Sequence, residues 1–408
     1  MLWKLKQSPR VGKLYIAPGN GGTGALAENV PVEVMELEKL AQFAKEKNIG
    51  LTLVGPENPL GGGVVDLFKS RGLRIWGPSQ AAARIEASKS FAKQLMAEKA
   101  IPTAEYRSFT EYEQALAYVR EKGAPIVVKA DGLAVGKGVI VCQSFAEAED
   151  ALKKMMVDKI FNESGAEVVI EEFLVGQEIT VQAFCDGTSY RMLPPTQDHK
   201  QIFDGDRGSN TGGMGVIGPL PWVTAEMMQT IETKIIQPML ETLRERGTPY
   251  VGCLYAGLMM TKSGPKVIEF NARFGDPECE VYMRLLKSDL LDILEASVDG
   301  MLASLPIEWH PGFASCVMLA SRGYPETSEK EIPITGIAEA GEIEGVVVFN
   351  MATVLEGGDL KTAGGRVLGV SAVGDSLKGA LDRAYTAINR IHFDGMQFRR
   401  DIGAKALI

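Results

Sequence analysis

Cysteine is scarce in this chain, and histidine scarcer. The five cysteines (Cys142, Cys185, Cys253, Cys279, Cys316) are odd in number, scattered and never spaced as C-x-x-C. That pattern excludes a disulfide framework and a cysteine zinc site, and it fits buried thiols in a reducing cytoplasm. The three histidines, His199, His310 and His392, lie far apart, which argues against a histidine-rich metal centre. No apolar run approaches the ~18 residues of a membrane span, and the N-terminus lacks the apolar core of a signal peptide. Basic residues form no block. With 52 acidic against 43 basic residues the net charge is −9, without the footprint that nucleic-acid binding needs. The expectation is a cytoplasmic protein with neither a nucleic-acid nor a membrane partner. Any anionic ligand must be held by a local group of cations and backbone N–H groups.

Glycine, by contrast, is abundant: 45 of 408 residues, against ~7% in an average protein. The glycines follow no period and sit among apolar segments, so they mark turns and close approaches rather than collagen or disorder. The length allows two to four domains. Residues 13–87 alternate short apolar runs (Leu14–Ile16, Leu51–Val54, Arg74–Trp76) with helical patterns (Glu36–Lys47, Val64–Arg71), which predicts an open parallel sheet with crossover helices. Two of these strands run into Gly55-Pro56-Glu57 and Gly77-Pro78, at the sheet end where ligands gather. Ser88–Lys99 reads as a helix capped by Ser88. An α+β region follows, with a helix over 225–246 broken near Pro238. Pro306 and Pro311 bracket a break, after which about 100 residues form a small α+β unit.

Four segments carry chemistry. Val127–Val141 sets a loop with Gly132, Gly136, Gly138 and Lys137 between two strands, the first of which carries Lys129. Glycine lets backbone approach phosphate oxygens and lysine supplies charge. A Walker A loop is excluded, because glycine follows the lysine and a strand follows the loop. Val169–Leu174 ends a strand in Glu171 and Glu172. It could offer backbone to an adenine edge, with Glu178 placed for ribose hydroxyls. On alternate positions of one strand, Glu269, Asn271 and, if the strand continues, Arg273 share a face; two oxygen ligands beside an arginine suit Mg²⁺ bridging phosphates. Pro194–Gly215 is a long polar loop, rich in ordered-turn residues and suited to a small polar substrate.

Together, Lys129–Val141, the Asp198–Gly215 loop and the run Arg273-Phe274-Gly275-Asp276-Pro277-Glu278 resemble the phosphoribosylamine–glycine ligases, a family of ATP-grasp enzymes in purine synthesis. The resemblance extends to Gly364-Gly365-Arg366-Val367. It implies an ATP-grasp fold of mixed α/β and α+β class: an N-terminal α/β domain (1–87), an ATP-grasp region (88–305) and a C-terminal α+β domain (312–408). The ATP-grasp region would divide into a flap lobe near 105–173 and a large lobe near 174–305. The implied reaction joins glycine to 5-phosphoribosylamine with ATP and Mg²⁺ (or Mn²⁺), through a glycyl phosphate, in a monomer or weak homo-oligomer. By resemblance, Lys89, Lys129, Gly136, Lys137 and Gly138 meet ATP phosphates, Lys137 also acting in catalysis. Glu171 belongs to the nucleotide site; Glu172, Phe173 and Leu174 face adenine, and Glu178 the ribose. Glu269 and Asn271 bind the metal, and Arg273 steadies the acyl phosphate. Asp198, Lys200, Asp206, Asn210, Thr211, Gly212 and Gly213 meet substrate, together with Arg273.

The chain departs from the family pattern in three places. The strand through Gly257–Met260 carries no acidic metal ligand, and Arg207 and Ser209 replace the smaller or proline residues usual in the Asp-Gly-Asp loop. Met1–Ser8 reads as a helix fragment with no cap, which leads to the expectation that a strand and glycine-rich loop of about 15 residues precede Met1 in the full protein. Two alternatives stay open: a truncated nucleotide-binding protein without turnover, and another ATP-grasp ligase or carboxylase of nucleotide metabolism.

Overall fold

The computed structural model describes residues 1–132, 138–160 and 165–407. The expectations placed on Gly136 and Lys137 lie outside these residues.

The N-terminal strands are parallel, as the βαβ alternation predicts, but they do not form one sheet. Tyr15–Ile16 pairs with Glu28–Asn29, and Thr52–Leu53 with Ile75–Trp76, as two separate two-stranded sheets. Helices Leu37–Glu46, Val64–Ser70 and Gln80–Ala87 pack around them. The end of the second pair is fixed to the large lobe: Trp76 Nε1 donates to Ser297 Oγ at 2.9 Å, and its ring lies 5.8 Å from that of Phe274.

Ser88 caps the helix Lys89–Glu98 by accepting from the Phe91 N–H, as the sequence indicates. The flap lobe is a four-stranded antiparallel sheet in the order Tyr106–Phe109, Val168–Glu172, Ile126–Ala130, Val139–Cys142. Helices Tyr112–Lys122 and Phe145–Leu152 cover it and close a core made of flap residues alone. The large lobe is a second four-stranded antiparallel sheet, ordered Tyr190–Met192, Gln177–Asp186, Val251–Thr261, Gly264–Asn271. Its predicted long helix is interrupted: a π turn over Glu232–Ile236 separates Ala225–Ile231 from Gln237–Glu245. Pro238, lacking an N–H, sits where the ladder changes register.

The Pro194–Gly215 segment is not the loop that its composition suggests. It holds a strand, Gln197–Asp198, and a hairpin of Gln201–Phe203 with Arg207–Asn210; the strand Gly215–Gly218 follows. Gln197–Asp198 and Gly215–Gly218 then join Phe313–Ala320, Arg366–Gly374 and Val346–Asn350 in one five-stranded sheet, backed by the helix Leu377–Ile388. The C-terminal sheet therefore borrows two strands from the region 88–305. That sheet takes strands from both sides of the Pro306–Pro311 stretch. Among the described residues, all five cysteines are unpaired and buried, and no helix is long and apolar enough to cross a membrane.

Candidate active site

Two adjoining cavities lie where the flap lobe, the large-lobe sheet and the C-terminal sheet meet, of about 470 and 810 Å³. Beside the first, three charged side chains are packed out of water. Lys129 Nζ lies 2.8 Å from Glu171 Oε2 and donates to the Ile268 carbonyl at 3.0 Å. Lys93 Nζ lies 3.0 Å from Glu171 Oε1 and donates to Thr103 Oγ1 at 2.7 Å. None of the three is more than 4% exposed. Burial pushes the Lys93 ammonium down to about 8, with Glu171 opposing the fall. Glu171, expected in the nucleotide site, lines the first cavity with its carboxylate taken up by two lysines, one of which is Lys129. Lys93 went unnoticed in the sequence, although it stands four residues after Lys89 and so shares its helix face.

Lys89 closes the same wall, its Nζ donating to the Gly132 carbonyl at 3.2 Å, and Gly138 reaches it from the flap. Glu269 and Asn271 project into the cavity from the edge strand, in the alternation predicted for them. Burial pushes the Glu269 carboxyl up, but the charges of Lys200, Lys129 and Lys89 outweigh it and hold the group below its ordinary value. Glu269 is therefore an anion at neutral pH, a hard donor beside the amide of Asn271. Arg273 lines the cavity too, although its charge is already balanced: Nε lies 3.3 Å from Glu57 and Nη2 3.1 Å from Glu86. Burial lifts the Glu86 carboxyl to about 7, against the pull of Arg273.

The second cavity is bounded by Phe173, Leu174 and Glu178 on one side and the Gln201–Asn210 hairpin on the other. Glu172 does not enter it by its side chain, which pairs with Lys266 at 2.6 Å and accepts from the Glu105 N–H at 3.0 Å.

Of the eight expected substrate residues, Arg273 included, seven line one cavity or the other and Gly213 lines neither. Asp198, Lys200, Thr211 and Gly212 line the first. Burial raises Asp198 to about 7, with Lys200, 3.3 Å away, opposing. Asp206 and Asn210 line the second. Asp206 is a correction in its chemistry as well, since its carboxylate pairs with Arg399 at 2.9 Å and with Lys405. Gly213 packs against Pro277 and Asp198 at a φ of +111°, with no room for a Cβ. The last domain reaches the site through Arg366, whose Nη1 lies 2.8 Å from the Gly212 carbonyl and 2.8 Å from Asp276 Oδ1.

Three family models cover almost the whole chain: the N domain of phosphoribosylglycinamide synthetase over residues 1–86, its ATP-grasp (A) domain over 87–279 and its C domain over 314–405. The chain belongs to the phosphoribosylglycinamide synthetase family. Among curated relatives, the phosphoribosylamine–glycine ligase of Caldanaerobacter subterraneus is 47% identical over 401 residues, 98% of this chain and 95% of its own. That of Pseudomonas aeruginosa is 48% identical over 410 residues, 100% of this chain and 95% of its own. The crystal structure of the Thermotoga maritima phosphoribosylamine–glycine ligase superposes with a TM-score of 0.85 at 32% identity, covering 98% of this chain and 96% of that one. The fold alone is shared with N5-carboxyaminoimidazole ribonucleotide synthetase of the same organism, at a TM-score of 0.65 and 19% identity over 96% and 95% of the two chains. As a phosphoribosylglycinamide synthetase homologue, the chain is an ATP-dependent ligase of the ATP-grasp type.

Within this synthetase fold, several residues at the site escaped the sequence reading. Glu57 and Glu86 were invisible as partners of Arg273 because they are 216 and 187 positions away. Glu278 is almost fully buried and accepts from Thr180 Oγ1 at 2.8 Å. It ends the Arg273–Glu278 run, and nothing local in that run marks its partner.

Proposed function

We propose that the two cavities form one active site that joins glycine to 5-phosphoribosylamine in purine synthesis, in the cytoplasm. ATP is consumed, ADP and phosphate are released, and a glycyl phosphate is the intermediate. The observation that carries this reading is the adjacency of the second cavity, at the Phe173–Glu178 hinge, to the first, which is lined by Lys89, Lys200 and the Glu269–Asn271 pair. A nucleotide with its base at the hinge and its ribose at Glu178 would run its phosphates toward Lys89 and Lys129. Lys129 is held rigidly by Glu171 and Ile268 for that contact, so little ordering remains to be done when the phosphates arrive.

Glu269 and Asn271 fit Mg²⁺ or Mn²⁺, since a carboxylate kept ionised and an amide carbonyl are hard oxygen donors. Among the described residues no group of three His, Cys, Asp or Glu is arranged to hold a metal alone, so phosphate oxygens and water complete the set. When bound, the ion neutralises phosphate charge. Arg273, Lys200 and Arg366 offer cationic surface to the acyl phosphate and to the phosphate of the second substrate. The Asp198–Lys200 pair faces the same space and orients the amine.

The test is ADP release in the presence of ATP, glycine and phosphoribosylamine. Omitting either substrate should stop it, and Glu269→Ala should lower turnover at least ~100-fold with the melting temperature retained. ATP binding without turnover, turnover with bicarbonate instead of glycine, or near-normal activity of Glu269→Ala would each overturn this reading.

A further inference from the structure

The hairpin Gln201–Asn210, which walls the second cavity, cannot be held by its own ladder. It has only the rungs Gln201↔Asn210 and Phe203↔Arg207, with a register shift between them. A two-stranded hairpin this short is not stable by itself in water. Its turn also holds Gly205 and Asp206 at positive φ, +72° and +52°. Something else must set its position.

That support comes from the end of the chain. Arg399 is 1% exposed and all three of its side-chain nitrogens donate hydrogen bonds. Nε and Nη2 each donate to Asp401 at 2.8 Å, while Nη1 donates to Asp206 Oδ1 at 2.9 Å and to the Gln201 carbonyl at 3.2 Å. Asp401 in turn accepts from the Gly205 N–H at 2.8 Å, and Asp204 accepts from the Arg400 N–H at 2.8 Å. The first strand of the hairpin, through Gln201, and its turn, through Asp204, Gly205 and Asp206, are thus tied to residues 399–401. The tie is anchored in the last domain, where the Tyr385 hydroxyl, on the helix Leu377–Ile388, donates to the Arg399 carbonyl at 3.0 Å. A guanidinium suits this place because a planar fork can serve two carboxylates and a carbonyl together, which a single ammonium cannot.

We propose that Arg399, acting through Asp206, Gln201 and Asp401, is a positioning residue that sets the hairpin wall of the nucleotide cavity. The C-terminal domain thereby determines how tightly ATP is held. The proposal rests on the reading that ATP occupies the second cavity. It assigns the acids of the Asp204-Gly205-Asp206 turn to the chain terminus rather than to substrate.

Steady-state kinetics on the full chain test it, with Arg399→Lys and the milder Asp401→Asn, whose side chain is partly exposed. Each should raise KM for ATP about tenfold, the equivalent of one charge-assisted hydrogen bond. The KM for glycine and kcat should stay within about twofold. Glu178→Gln, on the opposite wall, reports on the cavity itself. If Glu178→Gln raises KM for ATP and Asp401→Asn does not, the positioning role is overturned while the cavity assignment stands. If neither moves it, both fall. A lower melting temperature with every KM unchanged would make the Arg399 cluster a structural tie and refute the proposal.

Discussion

The ring of His199 offers a stability prediction that can be worked through in numbers. It is 3% exposed, and both nitrogens are committed: Nδ1 donates to the Gly215 carbonyl at 3.0 Å, while Nε2 accepts from the Gly403 N–H at 3.0 Å. Only the neutral tautomer satisfies both bonds, because a proton on Nε2 would point at the N–H of Gly403. Burial, reinforced by the nearby Arg399 charge, lowers the group to about 4 from an ordinary 6.5. The unfolded chain therefore takes up a proton that the folded chain refuses. Stability from this group is complete above about 6.5, declines as the pH falls, and is fully lost below about 4. At ~1.36 kcal/mol per pH unit, the interval amounts to about 3 kcal/mol. His199→Asn cannot titrate. It should lose about 1–2 kcal/mol at pH 7.5 through poorer hydrogen bonding, and the deficit should shrink and then reverse as urea melts are taken from pH 7.5 down to 4. With three histidines in the chain, ¹H–¹⁵N spectra can follow each ring directly. Parallel stability curves for the two proteins, or a His199 titration near 6.5, would refute the reasoning.

Two further substitutions probe the first cavity. Gly213→Ala places a Cβ 2.5 Å from Pro277 Cδ and 2.7 Å from Asp198 Oδ1, at a φ that disfavours any side chain. It should cost about 1–3 kcal/mol in strain and lower kcat/KM at least ~10-fold; unaltered kinetics would show that the Gly212–Gly213 segment does not shape the site. Glu171→Gln leaves Lys93 and Lys129 buried beside each other without their shared anion. It should destabilise the protein by about 3–5 kcal/mol and raise KM for ATP, and an unchanged urea midpoint would mean that the ion pairs contribute nothing net.

What the sequence makes legible here is what is local. Ser88 caps a helix because its hydroxyl lies within reach of an N–H three residues on, and Glu269 and Asn271 share a face because a strand has period two. Pro238 interrupts a helix for reasons contained in one ring. The family resemblance adds the order of domains, but no carboxylate can be assigned a partner that way. Asp206 shows the limit. In a Gly-rich polar stretch its charge looks free for substrate, and only the return of residue 399 across 193 positions takes it away. Glu171 shows it again, because an acid at a strand end appears solvated until two lysines from separate elements are packed against it. Sheet membership fails for the same reason. Gly215–Gly218 carries nothing that distinguishes pairing with Phe313–Ala320 from pairing with its own lobe, since a strand's pattern specifies which face is buried and not which chain segment lies beside it. Buried charge is where local reading is weakest, because whether an ionised group can sit in the interior is decided by its neighbours rather than by its own residue type. In an enzyme of this architecture those neighbours come from three domains. The partners that local reading cannot supply are therefore of two kinds: Lys93 and Lys129, which take up Glu171 within the ATP-grasp region, and Arg399, which ties Asp206 to the C-terminal domain.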